Sequence, residues 1–288
     1  MPRPLRMNRQ DLLHLALDVA RAGGKAAMTR FRSDSLAVES KADGSAVTVA
    51  DRQAESAMRL LLDAHVPGDA VLGEEFSGEH QEAIDSEAPR QWILDPIDGT
   101  ASFICGVPLF GTLVGVVEHG RPVIGVIHLP ALDETVYAAT GLGAWSRKGT
   151  RPPTRAHVSA ITRPDRATLC TTSDDYFRMT RTRWVWEALR DRVASTRGWS
   201  DCYALALLAT GRIDAVVEPP VLHPWDVAGC IPVVLEAGGL WTDWHGETGV
   251  HGRSALVANR ALHPRLLDLI RSAEPSPRSA PPQTDPPA

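Results

Sequence analysis

The segment from Trp92 to Thr100 reads WILDPIDGT and joins a short apolar run to two closely spaced acids. The apolar run predicts a strand over Gln91–Leu94 that delivers Asp95 at its C-terminal end. Gly99 allows the backbone to turn tightly after this strand. Asp95 and Asp98, three residues apart, can therefore face one point.

Acidic groups also stand at three other places where folding alone does not require them: Asp51, the pair Glu74-Glu75, and Asp226. Carboxylates gathered closely repel one another, so some would take up protons unless a cation neutralised them. An all-oxygen set without His or Cys suits Mg²⁺, which binds through a few carboxylates and leaves room for water and phosphate. The acids therefore predict a magnesium site beside a phosphate.

The backbone after Asp98 adds an anion site to this prediction. Gly99 and Thr100 are expected to lead into a helical turn, whose free N–H groups and positive dipole end favour phosphate. The Thr100 hydroxyl can orient a metal-bound water for in-line attack, with Asp51 or Glu74 drawing off its proton. The metal and the phosphate would thus bind next to each other in one site.

Each of these motifs alone also has an ordinary structural interpretation. An isolated Asp-x-x-Asp-Gly is most often a surface turn. The pair Glu74-Glu75 is usually solvated, and Asp226 alone is usually the N-cap of the helix that follows. The combination of all of them in one chain favours the functional interpretation.

Composition and charge exclude several classes of function. The chain has 288 residues, a formal net charge of −5 and a pI near 6.1, so no basic field indicates a nucleic-acid partner. Apolar runs such as Leu109–Val117 are shorter than the roughly 20 residues that span a bilayer, so no membrane partner is expected. The N-terminus lacks the pattern of a secretory signal and the cysteines form no CxxC pair, so a reducing cytoplasm is the predicted location.

Hydrophobic periodicity predicts helices and strands in alternation. The predicted helices are Asn8–Phe31 with Asn8 as N-cap, Arg52–Ala64 with Asp51 near its start, Arg181–Val193, Cys202–Thr210, Asp226–Ala237 and Leu262–Ser272. Besides the strand before Asp95, the predicted strands are Ala70–Leu72, Thr112–Glu118, Val123–His128, Thr135–Ala139 and Ile213–Val217. This interleaving predicts an α/β or α+β layered fold.

Three stretches together resemble the signatures of a known family. The tripeptide Gly73-Glu-Glu75, the segment from Trp92 to Thr100 and the run Trp225-Asp-Val-Ala-Gly229 look like the motifs of the inositol monophosphatase family, in matching order and spacing. The resemblance covers about Asn8–Ile270. It implies an α/β (α+β) fold, an alternating α/β/α/β/α layered sandwich. It also implies Mg²⁺ dependence, inhibition by Li⁺, hydrolysis by a metal-activated water without a phosphoenzyme, and a homodimer.

The resemblance also implies a set of metal ligands. Glu74, Asp95 and the Ile97 carbonyl would hold one Mg²⁺ ion. Asp95, Asp98 and Asp226 would hold a second ion, and a third would visit Glu74. Two or three ions are thus expected.

The same resemblance implies roles around the phosphate. Asp51 and Thr100, together with Glu74, would handle the nucleophilic water, while the backbone amides of Gly99 and Thr100 receive the phosphate. The expected activity is that of a phosphoric monoester hydrolase acting on a small soluble phosphomonoester.

The second half of the chain is expected to select the substrate. Three stretches resemble the histidinol-phosphatase branch of the family: Ser102–Gly106 running into Pro108–Leu113, then Thr171–Ser173, and then Ser200–Ala204. Histidinol phosphate carries a primary ammonium and a partly protonated imidazole, so carboxylates beyond the metal shell favour it. Asp201 and Glu218 would supply these carboxylates, with Asp226 also near the substrate. The favoured reaction is the step of histidine synthesis that releases histidinol.

Alternatives to this substrate stay open. Asp201 alone could be the N-cap of the following helix, and Glu218 an exposed strand end. Ala101 stands where histidinol phosphatases of this type often carry Lys or Arg, which favours an inositol-1-monophosphatase or another sugar or cyclitol phosphatase, recruited to specialised metabolism. A non-catalytic binding protein that kept the fold is a further alternative, against which the intact acidic set argues.

The chain divides into three parts by composition. Residues 1–7 are expected to form a flexible N-terminal arm. Residues 8–273 are expected to form the phosphatase domain, with a metal-binding half over about 8–145 and a substrate-side half over 146–273. Residues 274–288 are rich in Pro and Ser, bury too little apolar area to offset ordering, and are predicted to be disordered.

Overall fold

The computed structural model describes residues 7–33, 38–40, 46–76, 84, 88–199 and 201–274. The predicted arm and tail lie outside these residues except for Met7 and Glu274, and Ser200 lies outside them as well. Among the described helices, none combines the length and the apolar character needed to cross a bilayer.

Helices and strands alternate along the described chain. The helices are α1 Arg9–Met28, α2 Val49–His65, α3 Thr100–Ile104, α4 Asp174–Met179, α5 Arg183–Arg190, α6 Asp201–Ala209, α7 Pro224–Ala228, α8 Ile231–Glu236 and α9 His263–Ala273. The strands are β1 Val38–Ser40, β2 Ala46–Thr48, β3 Ala70–Gly73, β4 Gln91–Asp98, β5 Gly111–Glu118, β6 Arg121–Leu129, β7 Glu134–Ala139, β8 Gly143–Lys148, β9 Thr154–Arg155, β10 Thr168–Thr171, β11 Ser195–Gly198, β12 Ala215–Glu218, β13 Gly239–Thr242 and β14 Ala255–Asn259.

The first half of the chain builds the N-terminal sheet, to which the described residues contribute seven strands in the order β3-β4-β5-β6-β7-β8-β9. β3 and β4 pair in parallel, and each later pair is antiparallel. The strands predicted in this region are confirmed in slightly longer form. The sheet extends to Arg155, past the division near residue 145 that the sequence suggested, because β8 and β9 continue the antiparallel pairing.

The second half builds the C-terminal sheet, whose described strands run in the order β11-β10-β12-β14-β13. β10 pairs in parallel with β11 and β12, whereas β14 pairs antiparallel with β12 and β13. Of these strands, the sequence predicted β12 alone. The others are short, and β14 is buried throughout, so neither length nor alternation separates it from a helical segment.

Helices cover both faces of each sheet and give five layers. α1 and α2 pack on the outer face of the N-terminal sheet, where Leu12 and Trp92 share one apolar cluster. α6 and α8 fill the space between the sheets, in a cluster that includes Ile127 from one sheet and Val257 from the other. α5 and α9 cover the far face, where Leu266 is buried. The predicted alternating α/β/α/β/α layered sandwich is confirmed.

The middle layer lies very close to the N-terminal sheet because glycines face it. A Cβ added at Gly115 of β5 would lie 2.7 Å from the carbonyl carbon of Ala228 in α7. A Cβ added at Gly125 of β6 would overlap the backbone carbonyl group of Gly229, which follows α7. The end of α7 therefore lies against the backbone of β5, and Gly229, the residue that follows α7, lies against the backbone of β6.

Helix boundaries confirm some predictions and correct others. Asn8 is the N-cap of α1, and its side chain accepts the N–H groups of residues 10 and 11 at 2.9 and 3.0 Å. The helix predicted from Arg181 begins two residues later because Arg181 is left-handed, with φ 57°, which a helix excludes. The helix predicted over 226–237 is divided into α7 and α8. Pro232 in the first turn of α8 has no N–H to donate to the preceding turn, so one continuous helix cannot form.

We expect Gly125→Ala to lower the free energy of unfolding by about 1–3 kcal/mol, because the new methyl group must displace the backbone after α7. Gly68→Ala is the matched control, since a Cβ at Gly68 meets nothing within 4 Å, and it should leave stability almost unchanged. Urea denaturation of both variants measures the difference. Equal midpoints for the two variants would contradict the close packing of this layer.

His128 on β6 packs beneath α1 and is largely buried. A Cβ at Gly24 of α1 would lie 2.6 Å from the His128 ring, and the ring Nδ1 lies 2.9 Å from the Thr135 hydroxyl. The pKa of His128 is lowered from 6.5 to about 4, mainly by burial; the charges of Arg21 and Arg147 add to this decrease, and that of Asp133 opposes it. The folded protein therefore favours the neutral imidazole.

This pKa predicts a pH dependence of stability. Unfolded His128 takes up its proton near pH 6.5, whereas folded His128 does so near pH 4. The contribution of neutral His128 to the free energy of unfolding is therefore complete above pH 6.5 and is lost as the pH falls towards 4. Between pH 6.5 and pH 4, we expect the His128→Gln variant to lose less unfolding free energy than wild type, by up to about 3 kcal/mol. Urea denaturation across the window measures it, with His14→Gln on the exposed face of α1 as control. Parallel curves for wild type and His128→Gln would rule out this assignment.

Candidate active site

β4 places Asp95 and Asp98 on the same side because its pairing with β5 contains a bulge. Asp95 pairs with Leu113 and Asp98 with Gly111, so β4 holds one residue more than β5 between these two pairs. In a regular strand, residues three apart face opposite sides of the sheet, and one extra residue reverses this. The predicted convergence of the two carboxylates therefore has a specific backbone cause.

A hydrogen bond and a left-handed glycine fix the backbone around the bulge. The Thr112 hydroxyl donates to the Pro96 carbonyl oxygen at 2.9 Å. Gly99, with φ 88°, is the N-cap of α3 and adopts a conformation that costs other residues free energy. The strand predicted to end at Leu94 thus continues to Asp98, and the predicted tight turn at Gly99 is confirmed.

Asp226 joins these two acids from the middle layer. Within the part of the chain that the structure describes, one carboxylate oxygen from each of Asp95, Asp98 and Asp226 lies within 4.8 Å of the other two. Asp226 is the third residue of α7, and its Oδ2 accepts the His223 N–H at 2.7 Å. The N-cap of this helix is therefore His223, and the alternative interpretation of Asp226 as the cap is wrong. These three aspartates are called the acidic cluster below.

Electrostatics show that the acidic cluster requires a cation if it is to be ionised. Asp95 is 1% exposed, and burial raises its pKa well above the ordinary value, with further increases from the negative charges of Glu74, Asp98 and Asp226. Burial also raises the pKa of Asp98, followed by the charges of Asp201 and Asp226. A divalent cation would offset this repulsion, and an all-oxygen donor set suits a hard ion. The residues present therefore fit a metal such as Mg²⁺.

Glu74 lies in the turn after β3, and its backbone is tied to neighbouring elements. Its N–H donates to the Leu94 carbonyl oxygen at 3.2 Å, and the next N–H, that of Glu75, donates to Glu55 Oε2 at 2.7 Å. The Glu74 side chain acts on Asp95 through its charge and a hydrogen bond, both of which raise the pKa of Asp95. The predicted ligand Glu74 is thus next to the acidic cluster.

The predicted catalytic side chains are held by neighbours in the chain. Asp51 is buried in the first turn of α2, and its Oδ2 accepts the Thr48 N–H at 2.8 Å and the Thr48 hydroxyl at 2.6 Å. Thr100 is the first residue of α3, and its hydroxyl donates to the Ile97 carbonyl oxygen at 3.0 Å. Both orientations are set by local hydrogen bonds rather than by distant elements.

The start of α6 lies beside the acidic cluster. The Cys202 N–H donates to Asp98 Oδ2 at 2.6 Å, and the Asp201 N–H donates to the Thr172 hydroxyl oxygen at 3.1 Å. Asp201 has φ 41°, a left-handed conformation that is uncommon for a residue with a side chain. It is the first residue of α6 rather than the residue before it, and its charge acts on Asp98.

Glu218 is the last residue of β12 and forms hydrogen bonds with Thr171 and Thr172 near the start of α6. It is 7% exposed, so the alternative of an exposed strand end is wrong. Its Oε1 accepts the N–H and the hydroxyl of Thr172 at 2.8 and 3.2 Å, and its Oε2 accepts the Thr171 hydroxyl at 3.3 Å. Burial, followed by the charge of Asp201, raises the pKa of Glu218 to about 8. Glu218 thus holds Thr172, which in turn holds Asp201.

Some residues of the site were missed from the sequence. Glu55 follows Asp51 by four residues on α2, a spacing that places both on one helix face and could have identified it. Tyr176 lies on α4, a helix that was not predicted, and burial, followed by the charges of nearby carboxylates, raises its pKa. Cys202 contributes a backbone N–H, for which its side chain gives no signal.

Several known proteins resemble this chain over most of its length. The sequence profile of the inositol monophosphatase family matches residues 8–274. A histidinol-phosphatase from Chlorobaculum parvum is 38% identical over 263 residues, which are 91% of this chain and 97% of that protein. One from Mycobacterium tuberculosis is 38% identical over 266 residues, which are 92% of this chain and 100% of that protein. A solved inositol monophosphatase from Zymomonas mobilis has a TM-score of 0.78 at 31% identity and covers 92% of this chain and 100% of its own.

The chain therefore belongs to the inositol monophosphatase family, as the three sequence motifs predicted. It is an enzyme, a phosphoric monoester hydrolase that acts on small phosphomonoesters. The relatives do not support the alternative of a non-catalytic binding protein.

The crowding of the acidic cluster predicts opposite effects of one substitution with and without metal. In the presence of a chelator, Asp95→Asn should keep or raise the melting temperature, because it removes a carboxyl group whose ionisation is opposed by burial and by the neighbouring charges. Mg²⁺ at about 100 times its Kd should stabilise wild type by about 2.7 kcal/mol and the variant far less. Thermal denaturation measures both, with Asp191→Asn on the surface as control. An equal Mg²⁺ shift in wild type and Asp95→Asn would place the metal elsewhere.

Proposed function

We propose that this chain is a magnesium-dependent phosphatase that hydrolyses L-histidinol phosphate to L-histidinol and phosphate. The observation that carries the substrate assignment is the position of Asp201, an additional acid beside the acidic cluster. Its backbone is held by Thr172 and, through Thr172, by the buried Glu218. A cationic substrate explains why a carboxylate is placed there in addition to those that would bind metal.

The acidic cluster would hold Mg²⁺ together with Glu74 and the Ile97 carbonyl, for two or three ions in all. Bound Mg²⁺ supplies positive charge that neutralises the carboxylates and polarises the phosphoryl group. The burial of Asp95 supports this assignment, because an ionised carboxylate in that position needs a compensating charge.

The remaining residues would orient the reactants. Asp51, whose Oδ2 is fixed by two hydrogen bonds from Thr48, would take the proton of the attacking water, with Glu74 as a second acceptor. The Thr100 hydroxyl, held near the Ile97 carbonyl, would position that water. The left-handed turn at Gly99 would direct the amides of Gly99 and Thr100 towards the phosphate.

Asp201 and Glu218 would recognise the cationic part of the substrate, with Asp226 adjoining both sites. The pKa of Glu218 near 8 means that this group is largely protonated at neutral pH until a cation approaches and favours its ionised form. Recognition of the substrate ammonium would therefore fall first on Asp201. The 38% identity to the two histidinol-phosphatases supports the same substrate.

A second candidate is an inositol-1-monophosphatase or another sugar or cyclitol phosphatase. Ala101 favours it, because this exposed position on α3 offers no cation next to Thr100. The similarity to the Zymomonas mobilis structure is also compatible with it. For either substrate, we propose that the enzyme acts in the cytoplasm as a homodimer.

The substrate assignment is tested by the ratio of kcat/KM for L-histidinol phosphate to that for myo-inositol 1-phosphate, measured as released phosphate with Mg²⁺. We expect wild type to prefer histidinol phosphate strongly, and Asp201→Ala to reduce this ratio by about tenfold or more through the loss of one charge contact. Asp191→Ala, which removes the same charge at an exposed site, should leave the ratio unchanged. A wild-type preference for the inositol phosphate would overturn the assignment.

A further inference from the structure

Glu55 is a fully buried carboxylate for which the proposed reaction has no use. It lies on α2 with an exposed fraction of 0%. Its Oε1 accepts the Arg59 Nε–H at 2.7 Å, and its Oε2 accepts the backbone N–H of Glu75 at 2.7 Å. A buried charge of this kind is costly unless it is paired and hydrogen-bonded, so its partners indicate its role.

The partners of Glu55 surround Glu74 on both sides. The Glu75 N–H points to Glu55, while a Cβ at Gly73 would overlap the Glu55 carboxylate, so Gly73 and Glu55 share one space. Between them, the Glu74 N–H donates to the Leu94 carbonyl oxygen in β4. The segment Gly73–Glu75 thus contacts Glu55 on one side and is hydrogen-bonded to β4, the strand of Asp95, on the other.

This arrangement makes Glu55 unsuitable as a metal ligand itself. Both of its oxygens accept hydrogen bonds from protein donors, one of them from a cation. Glu74, in contrast, is partly exposed and acts directly on Asp95. The two neighbouring glutamates therefore have different tasks.

We infer that Glu55 is a positioning residue that fixes the backbone of Gly73–Glu75 and thereby holds the Glu74 carboxylate beside Asp95. The inference rests on the proposed function in one respect, namely that Glu74 binds a divalent cation. Groups that orient metal ligands typically change metal affinity by about 10- to 100-fold when they are altered. Glu55 acts through Glu74, so its contribution should disappear when Glu74 no longer binds metal.

The test is a double-mutant cycle on Mn²⁺ affinity, measured by calorimetry on the full chain without substrate. Glu55→Gln should weaken Mn²⁺ binding about tenfold or more in wild type. In a Glu74→Gln background the same substitution should change affinity by less than about twofold, because the path through Glu74 is already broken. In activity assays, Glu55→Gln should raise the Mg²⁺ concentration needed for half-maximal rate and leave kcat at saturating Mg²⁺ within a few fold.

Glu134 offers a matched control. It is also a buried glutamate paired with an arginine, Arg212, and it lies at the start of β7, away from the segment Gly73–Glu75. Glu134→Gln should lower stability in a similar way and leave Mn²⁺ affinity unchanged. If Glu55→Gln folds poorly because Arg59 loses its partner, Glu55→Gln/Arg59→Gln removes both charges and is expected to show the same loss of affinity.

The outcomes separate this inference from the proposed function. Wild-type affinity in Glu55→Gln, or effects of Glu55→Gln and Glu74→Gln that multiply, would overturn the positioning role while leaving a metal-dependent phosphatase intact. A wild-type chain that binds no Mn²⁺ and hydrolyses phosphomonoesters without divalent cations would overturn both.

Discussion

Mutual repulsion among buried carboxylates is the constraint on which this structure depends. Asp95, Asp98 and Asp226 are held within a few ångströms although burial and like charge both oppose their ionisation. The surrounding backbone holds the three acids together whether proton uptake or a bound cation relieves their repulsion. The bulge in β4 fixes two of the acids, and the close packing of α7 on Gly115 of β5 and of the following Gly229 on Gly125 of β6 fixes the third. The same packing that stabilises the layers therefore keeps three mutually repelling carboxylates together, and a cation would neutralise this repulsion.

Around the acidic cluster, neighbouring side chains are fixed in turn by short chains of hydrogen bonds. Thr48 holds Asp51, and Glu218 holds Thr172, which holds the backbone of Asp201. These chains start from residues with little exposure. Rotamers at the site are therefore determined in the core, where displacement is most costly.

The sequence predicted the acidic residues of the site better than the backbone that unites them. The spacing of Asp95 and Asp98 indicated a common target, but the bulge depends on pairing with β5, which lies later in the chain. Asp226 was recognised by its motif, whereas the division into α7 and α8 follows from Pro232. In the C-terminal sheet, short strands such as β14 carry no alternation of polar and apolar residues, because both of their faces are covered. The packing of Gly73 against Glu55 joins two segments that are distant in sequence, so the local sequence pattern of neither segment predicts it.

The location of α7 has a consequence for how this protein can change over time. α7 belongs at once to the interior that keeps the two sheets together and to the wall of the acidic cluster. A substitution that improves packing around α7 also moves the Asp226 carboxylate. A substitution that changes the position or the pKa of this carboxylate in turn disturbs the packing. Selection for heat resistance and selection for turnover thus act on the same few atoms. Adaptive variation should accumulate instead at the solvent-exposed positions of α5 and α9, which contribute neither to the acidic cluster nor to the packing between the sheets.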